Sequence, residues 1–467
     1  MSRAYFLCSK NKNTPYNLEY FIIVSQCCEE YNINRKYFPP LNHEKVIKMK
    51  NKQRTDTLVI GFALFSMFFG AGNVIFPPYL GLQAGPQWLL AFGSYFIMDI
   101  GLAMVGVLAV VKCSTAEELL KPLGKVVSVL FFSVLTLCLG PMFAVPRTAA
   151  TTYEMGFAGT PLDIGPSIFA VIFFVIVLLL SIRESAVVDI VGKVLTPVLL
   201  IGLLILIVKG IVTPLGDIID APKVDNIISY GVDSGYQAMD AMGSLLLTLV
   251  IVSSAIQKGY TEQKSRSRVV AAAALIAGGI MFIVYLGLTY LGATVSGVYD
   301  LSITRVNLVI SIVHGLLGNG GRVIIAVVIA MACLTTAIAL ISSAATFFAS
   351  LIKKKYSYEI LVIIFCVFSC IISTMGVESI LNFAAPILGI IYPPVLTLII
   401  MGFLPRTDKV FMATRFAFAG ALIASIIETA GVKVTILPAM ASMGINWVIP
   451  ALVLGIIGAC IPVRKNS

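Results

Sequence analysis

The feature that most restricts what this chain can fold into is a succession of apolar runs long enough to cross a bilayer. Twelve of them, at about 57–82, 88–111, 126–150, 165–182, 187–209, 234–257, 269–292, 322–351, 358–375, 379–403, 411–428 and 445–462, match the roughly 20 apolar residues that a helix needs to span the hydrocarbon. The stretch from Gly297 to Gly320 is of intermediate polarity and reads as a short amphipathic or re-entrant piece. With 58% hydrophobic and 12% charged residues among 467, and a mean hydropathy of +0.97, the composition excludes an ordinary soluble domain. The expectation is an all-α polytopic protein with membrane lipid as its solvent. An even number of spans places both termini on one side.

Basic residues choose that side, because Lys and Arg near span ends collect on the cytoplasmic face. With the termini inside, the inner segments from residue 45 onward hold 22 of the 33 Lys and Arg residues, and the outer segments hold six: Arg147, Lys209, Lys223, Arg305, Arg322 and Lys433. The net charge of +10 is therefore a topological signal, and nucleic acid is not an expected partner. The placement is a bacterial inner (cytoplasmic) membrane with both termini cytoplasmic.

Residues 1–48 differ from the rest. They are rich in Asn, Tyr and charge, with one four-residue apolar run and no apolar segment long enough for a signal peptide. Met49 opens "MKNKQRTDTLVIGF", a basic prelude to the first span. The expected transporter domain is 49–467, with 1–48 an extension that is disordered or read from too early a start.

Enzymatic chemistry finds little support. His43 and His314 are the only histidines, and no HExxH or GxSxG context occurs. The nine cysteines are scattered, mostly in apolar runs and without a CxxC pair, and read as small hydrophobes. No cofactor is expected.

Two spans carry helix breakers. The first contains "FFGAGNVIFPP" at 68–78, and the sixth, "GYQAMDAMGSLLLTLVIVSSAI", holds Asp240 and the Gly243–Ser244 pair in the half where it is interrupted. Backbone groups freed from a helix in hydrocarbon cost several kcal/mol each, roughly, unless something binds them. The breaks lie five spans apart, and carriers built from two five-helix repeats of opposite orientation place a discontinuous helix first in each repeat. The repeats would cover about 57–209 and 234–403, with two extra helices at about 411–462. Free N–H groups at half-helix starts suit a carboxylate, while freed carbonyls suit a cation or an ammonium. One such site would bind a zwitterion.

Four stretches carry a family resemblance. "GFALFSMFFGAGNVIFPPYLGLQAG", "GPMFAVPRTAATTYEMGF" at 140–157, "GYQAMDAM" and "ACLTTAIAL" at 332–340 resemble, in order, signatures of the branched-chain amino acid:cation symporter family (LIVCS, BrnQ-type). The likeness runs from about Met49 to the C-terminus. It implies the leucine-transporter-type fold and uptake of leucine, isoleucine and valine, driven by sodium or, in some members, protons.

The resemblance also implies residue roles. Ala71 and Gly72 would give amide N–H groups to the substrate carboxylate, with Gly70 permitting the bend; a Gly-rich packing face is the plainer alternative. Asn73 either offers its side-chain oxygen to a cation or caps the second half-helix. Thr335 and Thr336 would hold sodium against carbonyls of Ser66 and Phe69, oxygen ligands being what a hard cation takes; a bond back along their own helix is the alternative.

Asp99 and Asp240 are the acids deepest in the predicted membrane, where a carboxylate needs a partner or a wet cavity. Asp240 is placed to receive a cation or an ammonium, and either acid is otherwise a structural acceptor for nearby backbone. Arg147 and Glu154, two helical turns apart on one face, form an outer gate or anchor their helix. The competing class is a passive channel, or a proton-coupled carrier of other neutral amino acids. Oligomeric state leaves no trace in the sequence.

Overall fold

The computed structural model describes residues 43–182, 196–352, 357–432 and 437–462. Most of the extension (1–42), residues 187–195 of the fifth predicted span, and the basic positions Lys353 to Lys355, Lys433, Arg464 and Lys465 lie outside the described residues.

Among the described residues all regular structure is helical. The chain runs α1 (His43–Phe68), α2 (Ala71–Ala84), α3 (Trp88–Phe96), α4 (Leu102–Cys113), α5 (Lys125–Leu137), α6 (Ala144–Gly156), α7 (Pro166–Ser181), α8 (Thr196–Val212), α9 (Ile227–Ala238) and α10 (Asp240–Gln257). It continues through α11 (Gln263–Thr294), α12 (Arg305–Ile352), α13 (Ser357–Ser373), α14 (Val377–Met401), α15 (Asp408–Thr429) and α16 (Val448–Cys460). The predicted boundary at Met49 falls inside α1. The segment read as amphipathic or re-entrant becomes the first part of α12, set off from the eighth span by a kink at Gly318 (φ 65°).

The first break lies at Phe69–Gly70. Gly70 is extended, and α2 starts at Ala71 with no side-chain cap. A Cβ on Gly70 would come within 3.0 Å of Thr336 Oγ1, so the missing side chain lets α12 approach. Pro77 and Pro78, expected beside the break, instead sit inside α2. They remove two helical donors without interrupting the helix.

The second break lies beside Asp240, as expected, and not at the Gly243–Ser244 pair. The chain turns at Met239, whose φ of 75° is left-handed, a conformation costing a non-glycine residue roughly 1–2 kcal/mol. Gly243 and Ser244 are helical in α10, where the Ser244 hydroxyl donates to the Ala241 carbonyl at 2.7 Å. A serine satisfied one turn back has no need to break its helix.

Two further irregularities had no sequence forecast. A π-helical turn, Ile97–Gly101, joins α3 to α4, and another, Cys138–Met142, joins α5 to α6, with Gly140 and Pro141 at its centre. Such turns recur where a side chain has to be re-aimed.

Close packing uses small residues, as membrane helices do. A Cβ on Gly81 would lie 1.9 Å from the Thr289 carbonyl oxygen, and one on Gly292 would lie 1.8 Å from that of Pro78. Backbones of α2 and α11 therefore touch. Every residue of α2 is buried, whereas α7, α13 and α16 turn Ile168, Ile371 and Ile456 outward, as lipid-facing helices should. The broken helices thus occupy the centre.

Candidate functional site

At the first break, two threonines of α12 face the end of α1. Thr335 Oγ1 lies 3.1 Å from the Ser66 carbonyl and 3.2 Å from the Ser66 hydroxyl, while Thr336 Oγ1 donates to the Met67 carbonyl at 3.0 Å and approaches that of Ser66 at 3.5 Å. Thr335 also reaches Ala332 one turn back, at 2.8 Å. Its hydroxyl thus stands within reach of both the end of α1 and its own helix. Of the two carbonyls expected here, that of Ser66 meets the threonines; Met67 joins it. Phe69 is fully buried, its ring stacked on Phe65 with centroids 5.3 Å apart.

Asn73, Asp240 and Tyr285 tie the two breaks together. The Asn73 amide nitrogen donates to Asp240 Oδ2 at 2.5 Å and to the Tyr285 hydroxyl, which itself donates to the same oxygen at 3.4 Å. Asn73 is consequently not the cap of α2, because its side chain is engaged with α10.

The raw helix ends at Met239 are held by side chains from other helices. The π-turn brings Asp99 to α10, where Oδ1 accepts from the Asp240 N–H at 3.3 Å, and Tyr392 of α14 accepts from the Ala241 N–H at 3.3 Å. Asp99 Oδ2 is buried without a hydrogen-bond partner, and so is the neighbouring Tyr95 hydroxyl. On the other side, the Arg147 guanidinium donates to the carbonyls of Gln237 (2.8 Å) and Ala238 (3.3 Å), the last two of α9. Orphan donors and acceptors of a helix end are thereby satisfied.

Arg147 and Glu154 act on different helices. Glu154 Oε1 accepts from the N–H of Val377 at 2.8 Å, capping α14, while Arg147 points to the centre. The seven-residue spacing gave them a common face but not a common role. Phe76 lies between Arg147 and Arg305, 5.7 Å from each guanidinium, and Arg305 is paired with Glu378 at 2.6 Å.

Between the breaks is a narrow cavity of about 30 Å³. Gly70, Ala71, Asn73, Arg147 and Asp240 contribute its polar wall, and Phe68, Leu139, Leu247 and Leu340 its apolar wall. A cationic group, a carboxylate and a half-helix N-terminus thus converge beside aliphatic side chains.

Residues 53–465 match the family model described as branched-chain amino acid transport protein. The chain belongs to this family. Members of the branched-chain amino acid transport protein family are transporters and not enzymes. Similar relatives include the branched-chain amino acid permease BraB of Bacillus subtilis, 36% identical over 425 residues, covering 86% of this chain and 94% of BraB. The permease BrnQ of Escherichia coli K12 is 34% identical over 419 residues, covering 85% and 94%. Among solved structures, a Na+-coupled sialic acid symporter aligns with a TM-score of 0.59 at 14% identity, over 87% of this chain and 90% of that one. The nucleobase-cation-symport-1 transporter Mhp1 aligns with a TM-score of 0.56 at 15% identity, over 86% and 91%. At that identity the likeness establishes the shared fold alone.

Several participants escaped sequence reasoning. Tyr285 and Tyr392 look like aromatic membrane residues until their hydroxyls are seen to need partners. The carbonyls of Met67, Gln237 and Ala238 carry no side-chain signal at all.

Proposed function

We propose that this protein is a secondary active symporter that imports leucine, isoleucine and valine by alternating access, coupled to sodium. The observation that carries the reading is the cavity between the two helix breaks, lined by Ala71 at the start of α2, by Asp240 at the start of α10 and by aliphatic side chains. Membership of the family and the named substrates of its permeases support the choice of amino acid. The zwitterion's carboxylate lies at the start of α2, its ammonium near Asp240 and the carbonyls that end α9, and its branched tail against Leu139, Leu247 and Leu340.

Sodium is a co-substrate in this reading. Hydroxyls of Thr335 and Thr336 and carbonyls of Ser66 and Met67 would supply its oxygens, with Phe69 at the same turn. The ion shares the first break with the substrate, so filling either site steadies the helix ends that the other uses. The two five-helix repeats of opposite orientation then rock about these breaks, in a bacterial cytoplasmic membrane with both termini inside.

A proton-coupled reading is favoured by one observation, the buried and unpartnered Asp99 Oδ2. Uptake of labelled leucine into proteoliposomes with sodium and proton gradients imposed separately decides between the couplings. Leucine counterflow tests the carrier itself, because a passive channel gives none.

A further inference from the structure

We propose that Arg147 is the counter-ion of the substrate's carboxylate, and that in the empty carrier its guanidinium stands on the carbonyls that the substrate's ammonium takes. The assignment rests on reading the central cavity as the amino-acid site.

The guanidinium is a permanent charge, and Arg147 is only 4% exposed. Among the described residues its hydrogen-bond acceptors are two main-chain carbonyls, those of Gln237 and Ala238, and its Nε has no partner. Neutral carbonyls accept its hydrogen bonds, and the carboxylates of Asp240 and Asp99 act on its charge from beyond hydrogen-bonding reach. A planar fork of five donors fits a carboxylate through two parallel bonds, so the group is under-used as it stands.

Its position supplies the missing acceptor. A Cβ on Gly72 would lie 2.7 Å from Arg147 Nη2, which puts the guanidinium directly against the N-terminal turn of α2. An anion drawn to the N–H groups of Ala71 and Gly72 therefore meets Arg147 at the same point. Glycine at 72 is what leaves room for that meeting.

The same side chain accounts for the other end of the zwitterion. The carbonyls of Gln237 and Ala238 form the C-terminal end of α9, where the helix dipole favours a cation, and Asp240 follows across the Met239 turn. In the structure the Arg147 guanidinium serves as that cation. When a carboxylate seated at the start of α2 pairs with the guanidinium, its bonds to the two carbonyls give way and those carbonyls pass to the incoming ammonium. Neither the empty nor the loaded carrier then leaves backbone acceptors bare in the membrane interior. Selection for an α-amino acid follows, because a ligand with an ammonium and no carboxylate has nothing to draw the guanidinium away.

Competition against labelled leucine, in purified protein and saturating sodium, tests this with leucinol, which keeps the ammonium and the branched tail but lacks the carboxylate. In the wild type leucinol should bind about 100-fold or more weakly than leucine, since a site built for a polar group rejects the analogue lacking it. In Arg147→Gln, leucine affinity should fall roughly 30- to 100-fold while leucinol affinity holds or rises, collapsing the ratio; Arg147→Lys should fall between. Thermal unfolding checks that each variant is folded, and if Arg147→Gln is not recovered, Arg147→Lys carries the same ratio. Equal binding of leucinol and leucine by the wild type overturns the assignment, as does full discrimination surviving in the variants. A wild type that binds no branched-chain amino acid overturns the transport reading and this assignment with it.

Discussion

At the scale of single residues, the site is built from groups whose partners lie far away in sequence. Ser66 and Thr335 are 269 positions apart, and Asn73 and Asp240 are 167 apart. Thr335 and Thr336 could be singled out beforehand because their motif was legible, whereas Met239 could not, since nothing in a methionine announces a left-handed backbone. The threonines carry the most direct test of ion binding. Thr335→Val and Thr336→Val each remove one hydroxyl while keeping the branched shape, a loss worth about 1 kcal/mol for a hydrogen-bonding group. The sodium concentration for half-maximal uptake should rise about fivefold in each variant, with maximal uptake falling later. Unchanged sodium activation in both would remove the ion from these residues.

At the scale of elements, the broken helices are held by their neighbours rather than by their own sequences. The end of α1 is held by α12, the end of α9 by Arg147 of α6, and the start of α10 by Asp99 and Tyr392. The glycines between α2 and α11 set how near the first broken helix lies to its support. Gly292→Ala would force a methyl to within 1.8 Å of the Pro78 carbonyl oxygen, and overpacking of that kind costs about 1–3 kcal/mol or more. The variant should unfold at a clearly lower temperature in detergent, and a melting curve superimposable on the wild type would show that these backbones do not touch. Breakers in the sequence located both interruptions to within a few residues. They did not fix the turning residue, because prolines that end a soluble helix are accommodated in α2 by the helices packed round it.

At the scale of the whole molecule, selectivity follows from what the cavity leaves unpaired. Leucine, isoleucine and valine should compete with one another for uptake, while lysine and glutamate should not, because a side-chain charge against Leu139, Leu247 and Leu340 is buried without a partner. Strong inhibition of leucine uptake by lysine would sink this account of the apolar wall. One methylene is worth only about 1–3 kcal/mol in such a pocket, so the three aliphatic substrates should differ modestly. The family match begins at residue 53, and a chain starting at Met49 is expected to insert and take up leucine as the full chain does. Failure of the shortened protein to accumulate, with the full chain behaving well, would give residues 1–48 a role in the transporter.

The sequence by itself determined the class, the order of the apolar runs and the neighbourhoods in which two helices give way, because each depends on local hydrophobicity and local backbone chemistry. It also carried the family, through motifs that are contiguous in the chain. Tertiary structure alone decided which groups meet. The π-turn that aims Asp99 at α10, the parking of Arg147 on α9 and the separation of Arg147 from Glu154 all depend on how helices distant in sequence pack. Buried polar groups in lipid have to find partners wherever packing offers them, and the identity of those partners is a property of the assembled bundle.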